Sequence, residues 1–265
     1  MELNVIICGV GGQGSVRASH ILAEAAINAG NRARVGETFG AAMRGGKVHS
    51  HVRIGDVHGP LVRSRSADII VAQEPLEGLR IGQKYAAPDG VVVLNPSPVY
   101  PVDVSTGNAA YPPVGEIEEV LRGLAGTVAV VDGTTIAGEI GNPRSMNIVM
   151  LGAAYGTGLI TFDLQILLDV IARRLSLPAD PRVLRYRRRT KTQHELSPNE
   201  RRRNMRNALV VARRVEVGGA HVGLIDDILT TGATADEAAR ALLDAGAGRV
   251  SVAVISRGVG RKMKR

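Results

Sequence analysis

The 265-residue sequence predicts an α/β protein, with a doubly wound, mainly parallel sheet followed by a smaller, partial β-α-β unit. Three observations carry this. Short apolar runs alternate with helix-length segments through the first two thirds of the chain, a glycine-rich turn closes the first run, and the character of the chain changes near residue 170. Residues 1–170 carry a net charge of −4 and residues 171–265 one of +12, within a total of +8.

The apolar run 3–8 reads as the first strand, Gly9-Val10-Gly11-Gly12-Gln13-Gly14 as a tight turn, and 15–29 as the helix that returns from it. Residues 32–36 read as the second strand. Asp68–Ala72, Gly90–Leu94 and Thr127–Val131 read as buried strands, spaced by helical segments 74–85 and 115–125. Val48-His-Ser-His-Val-Arg-Ile54 alternates apolar and polar residues and reads as a strand with one covered face, not as a metal site at His49 and His51. Gly9-x-Gly11-x-x-Gly14 satisfies the dinucleotide fingerprint, in which glycine lets the backbone approach a pyrophosphate, and Glu37 is the one candidate for the acid at the end of the second strand. The same glycines equally serve close helix–strand packing, and both readings stay open.

Residues 222–234 are the second informative stretch. An apolar strand delivers Asp226 and Asp227 into Thr230-Thr231-Gly232-Ala233-Thr234, followed at once by a helical pattern over 234–245 with Ala235, Ala238, Ala239, Leu242 and Leu243 as its apolar face, and by a strand at 249–255. Paired acids at a strand end accept hydrogen bonds from vicinal hydroxyls, and a small-residue turn at a helix N-terminus faces a phosphate. The plainer reading is an Asx turn with a helix cap. Between these segments, residues 182–206 hold ten Lys and Arg against Glu195 and Glu200, and the chain ends in Arg261-Lys262-Met263-Lys264-Arg265. Such a run reads as a solvated loop or as a site for a polyanionic small ligand. Aromatic residues at 3% argue against a base-stacking platform and so against a nucleic-acid partner.

Mean hydropathy is +0.06 and no run approaches the roughly 20 apolar residues of a membrane helix. The N-terminus lacks a basic region with a cleavage site, so the expected location is cytoplasmic. One cysteine, Cys8, excludes a disulfide framework and a four-cysteine metal or cluster site within the chain.

Gly9–Gly14, the block Gly36-Glu-Thr-Phe-Gly-Ala-Ala-Met-Arg-Gly-Gly-Lys-Val-His-Ser-His-Val-Arg-Ile-Gly55, Asp68 and Met146-Asn-Ile-Val-Met-Leu-Gly152 together resemble the gamma-type subunit domain of 2-oxoacid (pyruvate/indolepyruvate):ferredoxin oxidoreductases, over residues 1–172. The resemblance implies a Rossmann-like domain that supports ferredoxin-linked oxidation of 2-oxo acids. It also implies thiamine diphosphate and iron–sulfur clusters in a separate partner chain, and a cofactor- or anion-facing surface formed by Gly9, Gly11, Gly12, Gly14 and Arg44. Arg187-Arg188-Arg189-Thr190-x-x-Gln193-x-x-Leu196-Ser197-x-x-x-Arg201-x-x-Asn204, followed by residues 224–234, resembles the ComF family of phosphoribosyltransferase-like proteins, over 176–265. That resemblance implies phosphoribosyl pyrophosphate held with magnesium: ribose on Asp226 and Asp227, 5′-phosphate on Thr230, Thr231, Gly232 and Thr234, and a mobile basic hood at 182–206. The expectation is an accessory oxidoreductase subunit fused to this segment; the alternative is a phosphoribosyltransferase-like protein. Some 90 residues with two strands cannot bury a normal five-stranded core, so this segment is expected to dock a sheet edge on other protein or to stay partly disordered.

Overall fold

The structure, a computed structural model, describes residues 2–40, 46–176, 180, 182–188, 197–212, 215–229 and 232–257, with the backbone alone at 39, 198, 225–229 and 253–257. The chain divides into two compact units, Met1–Pro178 and Ala179–Arg265.

The first unit opens with β1 (Leu3–Val10), α1 (Ser15–Asn28), β2 (Ala33–Phe39), β3 (Lys47–Ile54) and β4 (Ala67–Ala72). There follow α2 (Pro75–Tyr85), β5 (Ala86–Leu94), a short α3 (Val102–Ser105), α4 (Val114–Leu124) and β6 (Thr127–Val130). It closes with α5 (Gly133–Glu139), a 3-10 turn at Pro143–Ser145, α6 (Met146–Tyr155) and α7 (Leu164–Arg174). Six strands form one sheet in the order β2-β3-β1-β4-β5-β6. The run β1-β4-β5-β6 is parallel, whereas β3 is antiparallel to both of its neighbours, with Val5 opposite Val52 and Val35 opposite Val52 on its two sides.

Helices cover both faces because the strands alternate their apolar side chains between two layers. Val5, Ile7, Ile69 and Val71 pack under α1, α6 and α7, where Ile21, Leu22, Met150, Leu151 and Leu167 are fully buried. Ile6, Cys8, Ile70 and Val92 pack on the other side under α2 and α4, where Ile117 and Leu121 seal the layer. Glu74 caps α2 with its carboxylate on the Glu77 amide, and Pro75 supplies the first helical residue. Gly82 lets α4 approach: a Cβ there would lie 2.5 Å from Leu121 Cδ2.

The 48–54 strand has the covered face expected of it: Val48, Ser50, Val52 and Ile54 are buried, with Val52 and Ile54 in the α1 layer, whereas on the opposite face His51 is buried and His49 and Arg53 are half-buried. What the alternation does not show is its place inside the sheet, with β2 outside it. The helices α6 and α7 close the first core: Met146–Tyr155 is apolar nearly all round, as a helix lying among other helices should be, and α7 turns Leu167 and Val170 inward.

The second unit contains β7 (Leu184–Tyr186), α8 (Pro198–Met205), β8 (Leu209–Val211), β9 (His221–Leu229), α9 (Ala233–Asp244) and β10 (Arg249–Arg257). The strands β9 and β10 form a parallel pair linked by α9, and β7 and β8 an antiparallel pair. Its core is small: Met205, Ala208 and Leu209 meet Ala233, Ala238 and Ala241, and Val217 meets Leu242 and Ala247. The apolar face of α9 is rotated from the sequence reading, since Leu243 is half exposed and Ala241 buried instead. The basic run 182–206 is not one loop. It carries β7 and α8, the latter opened by a capping box between Ser197 and Glu200. Residues 189–196 and the basic tail lie outside the described residues.

Candidate functional site at the glycine turn

The order of the strands places the glycine turn where an open α/β sheet changes hand. After β1 the chain crosses on the α1 face, and after β4 it crosses on the α2 face, so the two connections diverge at the C-terminal ends of these adjacent parallel strands. Val10–Gly14 forms one wall of that boundary and Gln73-Glu74 the other.

The turn is held from within. Gln13 folds back so that its Oε1 accepts from Val10 N at 2.8 Å, while its Nε2 donates to Gln73 O at 3.2 Å. Ser15 Oγ donates to Gln73 Oε1 at 2.7 Å, and Asn147 Nδ2 donates from the start of α6 to Gly14 O at 3.2 Å. Gly9 and Gly14 therefore serve packing. A Cβ on Gly9 would lie 2.4 Å from Gln13 Oε1, and one on Gly14, whose φ is +83°, would lie 2.5 Å from Asn147 Nδ2. Gly12, with φ +111°, faces open space. Gly11, Gly12 and Gly14 line a cavity of about 550 Å³ together with Arg17, His20 and Arg174. The left-handed Gly14 caps α1 without a side-chain acceptor, and of the pocket's basic residues Arg174 is paired with Glu24 and His20 with Glu37. Glu37, the candidate ribose acid, is engaged instead by His20 Nε2 at 2.7 Å. Arg44 lies outside the described residues.

Sequence reading missed the polar row beneath this turn. Asn95 at the end of β5 donates to Gln73 O at 3.0 Å and to Thr134 Oγ1 at 3.0 Å. Glu74 accepts from Glu77 N, from Val99 N and from the Tyr111 hydroxyl, which pins the long β5–α4 connection to the sheet. Burial, reinforced by the Glu74 carboxylate, pushes the Tyr111 phenol up. Gln73 Nε2 has no partner among the described residues although Gln73 is fully buried. The only sequence hint was that Gln73, Glu74 and Asn95 are polar residues directly after apolar runs.

On the α2 face, His51 Nδ1 accepts from Val62 N at 3.2 Å, and its ring meets the Tyr85 ring edge-on at 5.2 Å. Burial, then the neighbouring His49 and Lys84, lower His51 to about 4, and His49 is lowered by burial, Lys84 and Lys47. Both rings are neutral near pH 7. No group of three His, Cys, Asp or Glu placed to hold a metal ion occurs among the described residues. Burial, with Glu77 and Glu74 nearby, raises the Cys8 thiol well above its ordinary value. One buried, protonated thiol does not fit an iron–sulfur cluster.

In the second unit, Asp226 and Asp227 lie on β9, their side chains outside the described residues, as are Thr230 and Thr231. Gly232 takes a left-handed φ of 73° and caps α9, with Thr234 in its first turn.

The family described as pyruvate ferredoxin/flavodoxin oxidoreductase matches residues 4–181. The chain belongs to that family. Similar relatives include the indolepyruvate oxidoreductase subunit IorB of Archaeoglobus fulgidus, 39% identical over 165 residues, which span 62% of this chain and 82% of that protein. The IorB of Pyrococcus horikoshii is 39% identical over 179 residues, 67% of this chain and 87% of that protein. The common gamma subunit of the pyruvate/ketoisovalerate oxidoreductases of Pyrococcus furiosus is 34% identical over 164 residues, 58% and 78% of the two chains. The family match thus covers the first unit and stops at the start of the second. No described helix is long and apolar enough to cross a membrane.

Two predictions follow from this family member's glycine turn and histidine pair. Gly14→Ala should destabilise the first unit by about 1–3 kcal/mol, through left-handed strain and the Asn147 clash. Adding Asn147→Ala should recover part of that loss in urea unfolding, because one of the two causes is removed. His51 is depressed in the folded state, so the unfolded chain binds the extra proton between about pH 6.5 and 4. Stability is therefore full above that window and falls as the pH drops through it, and His51→Gln should flatten the decline measured by chemical denaturation.

Proposed function

We propose that the first unit is the accessory, gamma-type subunit of a 2-oxoacid:ferredoxin oxidoreductase of the indolepyruvate type. The observation that carries this is the family match over residues 4–181, with higher identity to the indolepyruvate subunits than to the pyruvate/ketoisovalerate one. The chain's own chemistry agrees with an accessory role. The glycine turn is closed by its own glutamines, and the polar row behind it is engaged in fixing loops. Thiamine diphosphate and iron–sulfur clusters belong to the partner chain in this reading, where the 2-oxo acid is decarboxylated and electrons leave to ferredoxin. Gly11, Gly12 and Gly14, with Gly9 packed behind them, form the face presented to an anionic group, and Arg44, outside the described residues, is assigned to the same group. Support comes from the open pocket with Arg17 in its lining and from the N-terminus of α1, which has no side-chain cap.

A second reading concerns the second unit. The parallel β9-α9-β10 arrangement with a left-handed Gly232 at the helix start supports a site for phosphoribosyl pyrophosphate. Asp226 and Asp227 would hold the ribose, and Thr230, Thr231, Gly232 and Thr234 the 5′-phosphate, with magnesium on the pyrophosphate.

Co-expression with a thiamine- and cluster-bearing chain tests the first reading. The expected result is a stable complex that reduces ferredoxin with indolepyruvate and loses that activity when this chain is omitted; elution of the chain alone, with activity unchanged without it, would reject the proposal. Calorimetry with phosphoribosyl pyrophosphate and magnesium tests the second. Saturable binding should vanish in the Asp226→Ala/Asp227→Ala variant, and equal binding by that variant would remove the assigned ribose contacts.

A further inference from the structure

The second unit gathers arginines that the sequence keeps apart. Arg185, Arg187 and Arg188 lie on and just after β7, while Arg202 and Arg203 belong to α8 and Arg206 follows it. Folding joins the two groups through the backbone. The Arg188 guanidinium donates to Asn204 O at 2.7 Å and to Arg206 O at 3.1 Å, which neutralises the carbonyl end of α8. Arg187 N donates to Ala208 O at 2.7 Å and ties the strand to the residues that follow the helix. All six side chains are exposed. Arg185, Arg187, Arg202, Arg203 and Arg206 form no ion pair with a described residue. Nearby acids are already committed: Asp180 to Arg182, Glu200 on α8 to Ser197, and Glu237 to Arg240.

We infer that the β7–α8 surface binds the phosphate backbone of nucleic acid without sequence specificity. The Arg188 and Arg187 contacts bring the end of β7 against the end of α8, so cations of both elements meet at that junction, and their mutual repulsion is relieved when a polyanion releases its counterions to them. The described cations here are all arginine, whose planar fork matches phosphate oxygens in pairs, as lysine does not. The surface is too long for a single phosphate group. Residues 185–188 and 202–206 span about 10 Å and about 7 Å respectively, enough for roughly three phosphates of one strand at ~3.4 Å each. A membrane surface fits less well, because Tyr186 is the single large apolar side chain exposed on these two described segments and it lies beside the arginines. Low aromatic content opposes base reading, but a backbone contact requires none. This inference is independent of the oxidoreductase assignment, which concerns the other unit.

The test uses the full chain and a fluorescein-labelled 30-nucleotide oligomer of mixed sequence, with anisotropy followed from 50 to 300 mM KCl. Expected are saturable binding, indifference to sequence, and a log–log salt slope of about −2 to −3, the value for roughly three phosphate contacts. Arg202→Gln/Arg203→Gln and, separately, Arg185→Gln/Arg187→Gln should each weaken binding about tenfold and flatten the slope by about 1–2, while Arg144→Gln in the first unit changes neither. Circular dichroism and thermal melting of each variant confirm that the fold is retained. Four results would overturn the inference: no saturable binding at 50 mM KCl; native affinity in both double variants; equal affinity for a 5-mer with full displacement by stoichiometric pyrophosphate, which marks a small-ligand site; or retention on phosphatidylserine vesicles without oligonucleotide binding.

Discussion

Everything in the first unit depends on the burial of β1 between an antiparallel and a parallel neighbour. Val5, Ile6, Ile7 and Cys8 are entirely enclosed, with alternate side chains feeding the two helical layers. A strand in that position cannot shift by one residue without driving every side chain into the wrong layer, so its register is fixed. Because the register is fixed, so is the point where β1 ends, and with it the place of the glycine turn. Gly9 belongs to that same constraint: it is the last buried residue of the strand, and its missing side chain is the space that Gln13 and Gln73 occupy.

The polar row at the strand ends follows from the same geometry. The parallel strands β1, β4 and β5 stop together, and their terminal polar residues are buried under the connections that leave them. Buried Ser15, Gln73 and Asn95 find partners in one another and in half-buried Gln13 and exposed Thr134, with Gln73 Nε2 left without a partner among the described residues. Glu74 does the same for the β5–α4 connection through Tyr111. The result is a rigid floor under a turn whose outer side, at Gly12 and Arg17, is open. A fixed floor with an open cationic rim suits a chain that presents a surface to a partner or an anion more than one that carries out chemistry by itself.

The second unit is built on a different balance. Among the described residues its buried side chains are largely alanine, with Met205, Leu209, Val217 and Leu242 as the larger members, and its parallel sheet has two strands. Parallel strands are ordinarily covered on both faces within larger sheets, and this sheet has two. Local interactions carry more of the load here than in the first unit: the Ser197–Glu200 capping box, the Arg188 contacts to the end of α8, and the Glu237–Arg240–Asp244 chain along α9.

Most strands and the principal helices were legible in the sequence, because apolar runs such as 3–8, 68–72 and 90–94 have strand length and lie between helical periods. The division of the chain was legible too, from the jump in charge near residue 170. The glycine turn could be located, but not its use: only the fold brings Gln73 from residue 73 and Asn147 from residue 147 against Gly9 and Gly14. The interior position of β3 was likewise invisible, since an alternating strand looks the same at an edge as in the middle, and only the placement of β2 outside it decided the matter. Periodicity and composition are local and are written into neighbouring residues. Strand order, the partners of buried polar groups and the meeting of two arginine runs depend on contacts between residues distant in the chain, and those were settled by tertiary packing alone.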